Sequence, residues 1–308
     1  MRVVITGGTG LIGQELTADL AKDGHEVIVV SRSPRQAGTL PGSVRFELWD
    51  ARTAQGWGAL VDGADAVVNL AGEPLAGTGF LPSRWTDERK RRIIDSRASA
   101  GQAVVEAIKA ARKKPGVVIQ ASAVGYYGAQ GDEDVTEDTP PATDFLGKGC
   151  VQWEISTQPV EEMGVRRAIM RTGILLSAKG GVLPRLALPF KLFAGGPLGS
   201  GRQQLPWIHM ADEIAAIRFL METSAASGAF NLSAPNPMNN REFSRTLGRV
   251  LNRPSYFPMP GFAFQIAFGE VSEVVLTGQR ALPKRLLDLG FKFKFTDLEA
   301  ALRDLYKK

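Results

Sequence analysis

The feature that most constrains this chain is a glycine-rich segment at its start. Val3-Val4-Ile5 is a short apolar run, and Thr6-Gly7-Gly8-Thr9-Gly10-Leu11-Ile12-Gly13 follows it without a break. Glycines 8, 10 and 13 satisfy G-x-G-x-x-G, and glycines 7, 10 and 13 give G-x-x-G-x-x-G. Such spacing alone is weak evidence. Here it lies between a strand-like run and a helix-like run, Gln14 to Lys22, where a mechanism requires it. Glycine permits a tight turn and lets backbone N–H groups approach a pyrophosphate at the positive end of a helix. Gly7, Thr9, Gly10, Leu11, Ile12 and Gly13 are therefore the expected loop contacts to a dinucleotide.

The next apolar run, Val27-Ile28-Val29-Val30, ends in Ser31-Arg32-Ser33-Pro34. An NAD-preferring site places an acid on the ribose 2′-hydroxyl roughly 20 residues after the loop. This chain offers Ser31 and Arg32 there instead. An arginine pairs with a 2′-phosphate and stacks on adenine. The expected cofactor is NADP(H), read by Arg32 with Arg35 assisting; the plain alternative is a solvated arginine on a turn.

Further apolar runs follow at Arg45 to Trp49, Ala66 to Leu70, Val117 to Ala121 and Arg167 to Arg171, with a long helical period from Glu88 to Arg112. Near-continuous apolar strands alternating with helices imply a parallel sheet covered on both faces. The expected class is α/β, a doubly wound Rossmann sheet with a smaller C-terminal cap lobe. Residues 1–176 with 205–232 read as the dinucleotide-binding domain. Residues 177–204 with 233–308 read as the substrate-binding cap and C-terminal extension. Residues 177–206 are rich in Gly and Pro and read as a long loop or lobe near a ligand.

Composition excludes several classes. Cys150 is the only cysteine, so no internal disulfide forms, and the histidines number two, His25 and His209, so a histidine-based metal site is not expected. There is no apolar run of about 18 residues to span a membrane. Met1-Arg2 leads straight into the first strand rather than into a secretory leader, so a cytoplasmic setting is expected. The net charge of +5 is no strong pointer to nucleic acid. The densest basic stretch, Arg84 to Arg97, also holds Asp87, Glu88 and Asp95, as a solvated helix face would. A small-molecule substrate is the expected partner.

These motifs together resemble the short-chain dehydrogenase/reductase superfamily, in its extended, NAD-dependent epimerase/dehydratase type. The glycine loop is similar to that family's opening loop. Asp50 sits where the family contacts adenine, and Asn69-Leu70-Ala71-Gly72 where it lines the cofactor. Ser122-Ala123-Val124-Gly125-Tyr126-Tyr127-Gly128 resembles Ser-x-x-x-x-Tyr-Gly, and Pro206-Trp207-Ile208-His209-Met210-Ala211-Asp212 a late I-H-V-x-D segment. A closer resemblance is to a poorly characterised "epimerase family" branch. It rests on Trp85, Ile94-Asp95-Ser96-Arg97, Gly195 to Gln203 and Gly278-Gln279-Arg280 to Pro283. The resemblance covers nearly the whole chain. It implies NADP(H) binding without a settled substrate, a homodimer, and, for some relatives in photosynthetic organisms, a link to cell or plastid division.

The superfamily's acid/base pair is a Tyr with a Lys four residues later. A Tyr of pKa about 10 is a poor base at neutral pH without such a cation. The best match to that segment ends at Glu154 and puts Leu146 at the Tyr position and Cys150 at the Lys position. Lys148 falls on the wrong face. Candidate replacements are Ser122, Tyr126, Tyr127, Glu73 and His209, with Ser122 also counted at the cofactor. Arg97 is counted at the cofactor, as a contact to an anionic group on substrate or cofactor, or else pairs with Asp95 or Glu154; Arg171 reads as a ligand contact or an ion-pair partner, and Arg202 as a pocket residue. Three readings stay open: chemistry through such replacements, direct hydride transfer to an oriented substrate, and NADP(H) binding without turnover as a sensor or assembly protein.

Overall fold

The computed structural model describes every residue except 33–37, 39, 78, 80 and 308. The proposed assistance of Arg35 therefore lies outside the described residues. Seven strands form one parallel sheet: β1 (Arg2–Thr6), β2 (Glu26–Ser31), β3 (Arg45–Leu48), β4 (Ala66–Asn69), β5 (Val117–Ala123), β6 (Arg166–Thr172) and β7 (Gly228–Leu232). Their order is β7-β6-β5-β4-β1-β2-β3, every pairing parallel. The chain reverses direction across the sheet between β1 and β4. Beyond the carboxyl ends of the strands, such a switch point opens a crevice where ligands bind.

The apolar runs are continuous because both faces are covered. Val3 and Ile5 enter one core with Leu16 and Leu20 of α1 (Leu11–Lys22). Val4 enters the opposite core with Ala100, Val104 and Ile108 of α2 (Asp87–Ala110). Burying each such Val, Leu or Ile contributes about 1.5–3 kcal/mol. The start of α2 is set locally: Thr86 caps it by accepting from the Arg89 N–H, and Asp87 and Glu88 in its first turn complement the helix dipole.

Next come α3 (Phe145–Ile155), α4 (Leu183–Lys191), α5 (Met210–Glu222), α6 (Asn240–Leu251), α7 (Gly261–Phe268) and α8 (Leu298–Leu305). The expected long loop over 177–206 is corrected by α4. Leu183, Ala187 and Phe190 bury one helical stripe, and Pro184 sits in the first turn, where its missing N–H costs little. The Gly and Pro count had hidden that stripe. Phe190, Trp207, Phe243, Leu247, Leu298 and Leu302 form a separate core beneath α4, α6 and α8. Among the described residues no helix is long and apolar enough to cross a membrane.

The C-terminal extension forms a small two-stranded sheet of its own with a segment that follows β5. Arg280–Ala281 pairs in parallel with Asp134–Val135, and the Gln279 side-chain amide donates to the Val124 carbonyl at 2.6 Å. Val124 directly follows β5, so the extension is fastened to the segment that carries Tyr126 and Tyr127.

Candidate cofactor and active site

The glycine loop closes where β1 meets α1. The Gly7 N–H donates to the Val30 carbonyl at 3.0 Å, and the Gly10 N–H to the Gly7 carbonyl at 2.9 Å. Gly7 has φ +70°, and a Cβ there would lie 2.9 Å from the backbone of Leu70 and Ala71. A Cβ on Gly13 would lie 2.6 Å from the Gly7 carbonyl oxygen. Any larger residue would fill the cradle. Gly10 starts α1 without a side-chain cap, and no acid stands in the first turn. The opening N–H groups of a helix have no intrahelical acceptor, so this end attracts an anion. The residues present fit a dinucleotide pyrophosphate. Thr9 and Ser31 clip the loop to β2 through a 2.6 Å bond between their buried hydroxyls.

Arg32 follows Ser31 at the end of β2. It is exposed and has no ion-pair partner among the described residues. Asp50, after β3, shapes its own turn by accepting from the Thr53 and Arg52 N–H groups at 2.9 and 2.7 Å and from the Thr53 hydroxyl. Those backbone bonds hold its carboxyl below the usual range. Asn69 is fully buried, and both ends of its amide are engaged: Oδ1 accepts from the Thr6 hydroxyl and Nδ2 donates to Gln120. The Asn69 side chain thus ties β1, β4 and β5 together. Leu70 and Ala71 instead offer backbone against Gly7.

A buried polar chain runs beside β5. The Ser122 hydroxyl donates to Glu154 Oε1 at 2.7 Å. Glu154 receives Arg171 Nε and Nη2, each at 2.9 Å. Arg171 Nη1 donates to the Tyr127 hydroxyl at 3.0 Å, which donates to Asn231 Oδ1 at 2.7 Å. Tyr127 is 0% exposed, and burial pushes its phenol up to about 12 although Arg171 opposes the shift. An acid/base role for Tyr127 is therefore corrected to a structural one. Arg171 likewise resolves into the ion-pair alternative. Ser122 is committed to Glu154. Tyr126 differs: Arg171 lies over its ring at 3.5 Å, and its hydroxyl has no partner among the described residues.

His209 is buried, and its Nδ1 accepts from the Ala211 N–H at 3.0 Å as the cap of α5. Its ring packs on Phe295 at 4.0 Å, and burial lowers its pKa. With Nδ1 spent on the cap and Nε2 3.5 Å from the Asp304 carboxylate, both ring nitrogens face protein groups, which favours a structural role over that of a proton donor. Glu73 faces Arg89 and Arg92 at 3.7 and 3.8 Å. Arg202 is exposed. Cys150 donates weakly to the Ala123 carbonyl, and burial raises its thiol to about 11.

Arg97 makes neither of its expected ion pairs. Nη1 donates to the Glu73 and Ile93 carbonyls, each at 2.9 Å, and the guanidinium lies over Trp153 at 4.6 Å. Sequence reasoning missed Trp153 and Asn231. The only signal for Trp153 was its spacing of three from Cys150 on α3; for Asn231 there was no local signal.

A parallel sheet reversing at β1, with an uncapped α1 over a glycine cradle, defines a Rossmann-type protein. The chain belongs to the NAD dependent epimerase/dehydratase family, whose model matches residues 3–233. A second match, over residues 259–305, is to a domain of unknown function, DUF1731. The chain is 40% identical over 306 residues to the epimerase family protein YfhF of Bacillus subtilis, covering 99% of this chain and 98% of that one. It is 38% identical to the chloroplastic SDR39U1 homolog of Arabidopsis thaliana, covering 98% and 86% respectively. The human epimerase family protein SDR39U1, crystallised with NADPH, superposes with a TM-score of 0.88 at 33% identity over 99% of both chains. A UDP-glucuronic acid 4-epimerase from Bacillus cereus shares the fold, with a TM-score of 0.78 at 17% identity over 99% of this chain and 98% of that one.

Proposed function

We propose that the protein binds NADP(H) and is an oxidoreductase or epimerase acting on a small molecule without a Tyr/Lys acid/base pair. The carrying observation is the uncapped α1 facing the Gly7–Gly13 cradle, with Arg32 at the neighbouring strand end exposed and without an ion-pair partner among the described residues. Backbone N–H groups of Leu11, Ile12 and Gly13 would hold the pyrophosphate, and Arg32 the 2′-phosphate. The human relative crystallised with NADPH supports that choice. When bound, the cofactor supplies hydride transfer.

The chain's own residues orient substrate and handle a proton. Leu146 packs with Trp85, Phe145 and Val271, and Cys150 is a protonated, buried thiol. Lys148 is exposed. These surroundings support the absence of the usual pair. Tyr126 keeps an uncommitted hydroxyl, and Arg171 fixes its ring, so Tyr126 is the group assigned to proton exchange with substrate.

Titration with NADPH and NADH tests the cofactor. NADPH binds roughly tenfold tighter or better, from charge-assisted bonds to the 2′-phosphate; tighter NADH overturns the reading. Turnover is tested with carbonyl, quinone and nucleotide-sugar compounds by absorbance at about 340 nm. The second reading, a sensor or assembly protein, draws on the commitment of Ser122, Tyr127 and His209 to internal bonds. Tight NADPH binding with no oxidation by any compound selects it.

A further inference from the structure

Arg97 stands against the segment that follows β4 at the switch point of the sheet. The side chain rises from α2, and a Cβ placed on Gly72 would touch its Cγ, Cζ and Nε at 3.2–3.4 Å. Gly72 follows Ala71, whose backbone meets Gly7 of the phosphate cradle. Gly72 thus lies against the guanidinium, which also sits over the Trp153 ring at 4.6 Å. Nη1 is spent on two carbonyls. Nε and Nη2 have no hydrogen-bond partner among the described residues.

The charge is uncompensated as well as oriented. No carboxylate of the described residues pairs with it: Glu73 gives its carbonyl to Arg97 and turns its carboxylate to Arg89 and Arg92. Glu154 is taken by Arg171. Desolvation lowers the Arg97 pKa to about 10. A partly buried cation without a counter-charge is costly, and an arriving anion removes that cost. A guanidinium fork with two adjacent free N–H groups matches an oxyanion bidentately.

Arg97 stands beside Gly72 after β4, whereas Thr9, Ser31 and Arg32 lie at the β1 and β2 ends. We propose that Arg97 recognises the substrate, and that the substrate is a small organic anion bearing a carboxylate or phosphate. This rests on the NADP(H) reading above.

The test uses the full chain loaded with NADPH. Bound-nucleotide fluorescence is followed during titration with 4-formylbenzoate, 4-formylphenyl phosphate and the uncharged methyl 4-formylbenzoate. The wild type is expected to bind at least one anion roughly tenfold tighter than the ester, Arg97→Met to lose that preference, and Arg97→Lys to keep part of it. NADPH affinity stays within about threefold in both variants. The proposal is overturned if neither anion outbinds the ester, if Arg97→Met leaves the preference intact, or if Arg97→Met instead lowers NADPH affinity about tenfold, which makes Arg97 a cofactor residue. The anion titrations are repeated without nucleotide by tryptophan emission, since Trp153 lies against the guanidinium. Failure of NADPH binding and failure of the anion site are then separate results.

Discussion

Arg171 and Glu154 form a two-pronged ion pair, Nε to Oε1 and Nη2 to Oε2, both at 2.9 Å, with both side chains buried. The pair joins the end of β6 to α3 and holds Ser122 on one side and Tyr127 on the other. Removing one member strands the other charge. Glu154→Ala is expected to lose about 3–5 kcal/mol. Urea unfolding measures it, and a loss under about 1 kcal/mol would show the pair to be dispensable.

The two adjacent tyrosines are expected to separate. Tyr127→Phe leaves Asn231 Oδ1 and Arg171 Nη1 short of a partner and costs about 1–3 kcal/mol of stability. Tyr126→Phe breaks no hydrogen bond among the described residues, so melting is unchanged. Its turnover, once a substrate is found, falls about 100-fold or more if Tyr126 moves the proton. Unchanged turnover removes Tyr126 from the chemistry.

Arg32→Ala is expected to weaken NADPH binding roughly tenfold while NADH stays within about twofold. The contact is exposed, so its effect shrinks as salt rises. Calorimetric titration at two ionic strengths measures both; equal losses for the two nucleotides would rule out a 2′-phosphate contact.

Glu213 is fully buried on α5, and burial raises its pKa from 4.5 to about 8, opposed only by the Thr172 hydroxyl at 2.8 Å. Between those values the native state holds a proton that the unfolded chain has released. Stability therefore falls as pH rises through that window. Glu213→Gln should flatten the profile. Denaturation midpoints across the window decide it, and a wild-type midpoint that climbs with pH would contradict the assignment.

Local signals carried the nucleotide half of the molecule. Val3 to Ile5, the glycine spacing and Arg32 lie within one βαβ unit, where periodicity and turn chemistry are written in adjacent residues. The substrate half was less legible. Arg171 finds Glu154 across 17 residues, and Gln279 reaches Val124 across 155. No local pattern marks such pairings. For His209 residue type alone leaves a catalytic and a structural role open, because capping geometry and burial decide what a histidine does.

The Gln279 bond to Val124 has a consequence for the order in which the protein matures. Domains generally fold as the chain is made, amino-terminal part first. The glycine cradle needs only β1, α1, β2 and β4, all complete by Asn69. The segment bearing Tyr126 is fastened only after residues 279–281 have followed. The two walls thus draw on distant parts of the sequence, and losing the Gln279 bond would leave the segment bearing Tyr126 unfastened.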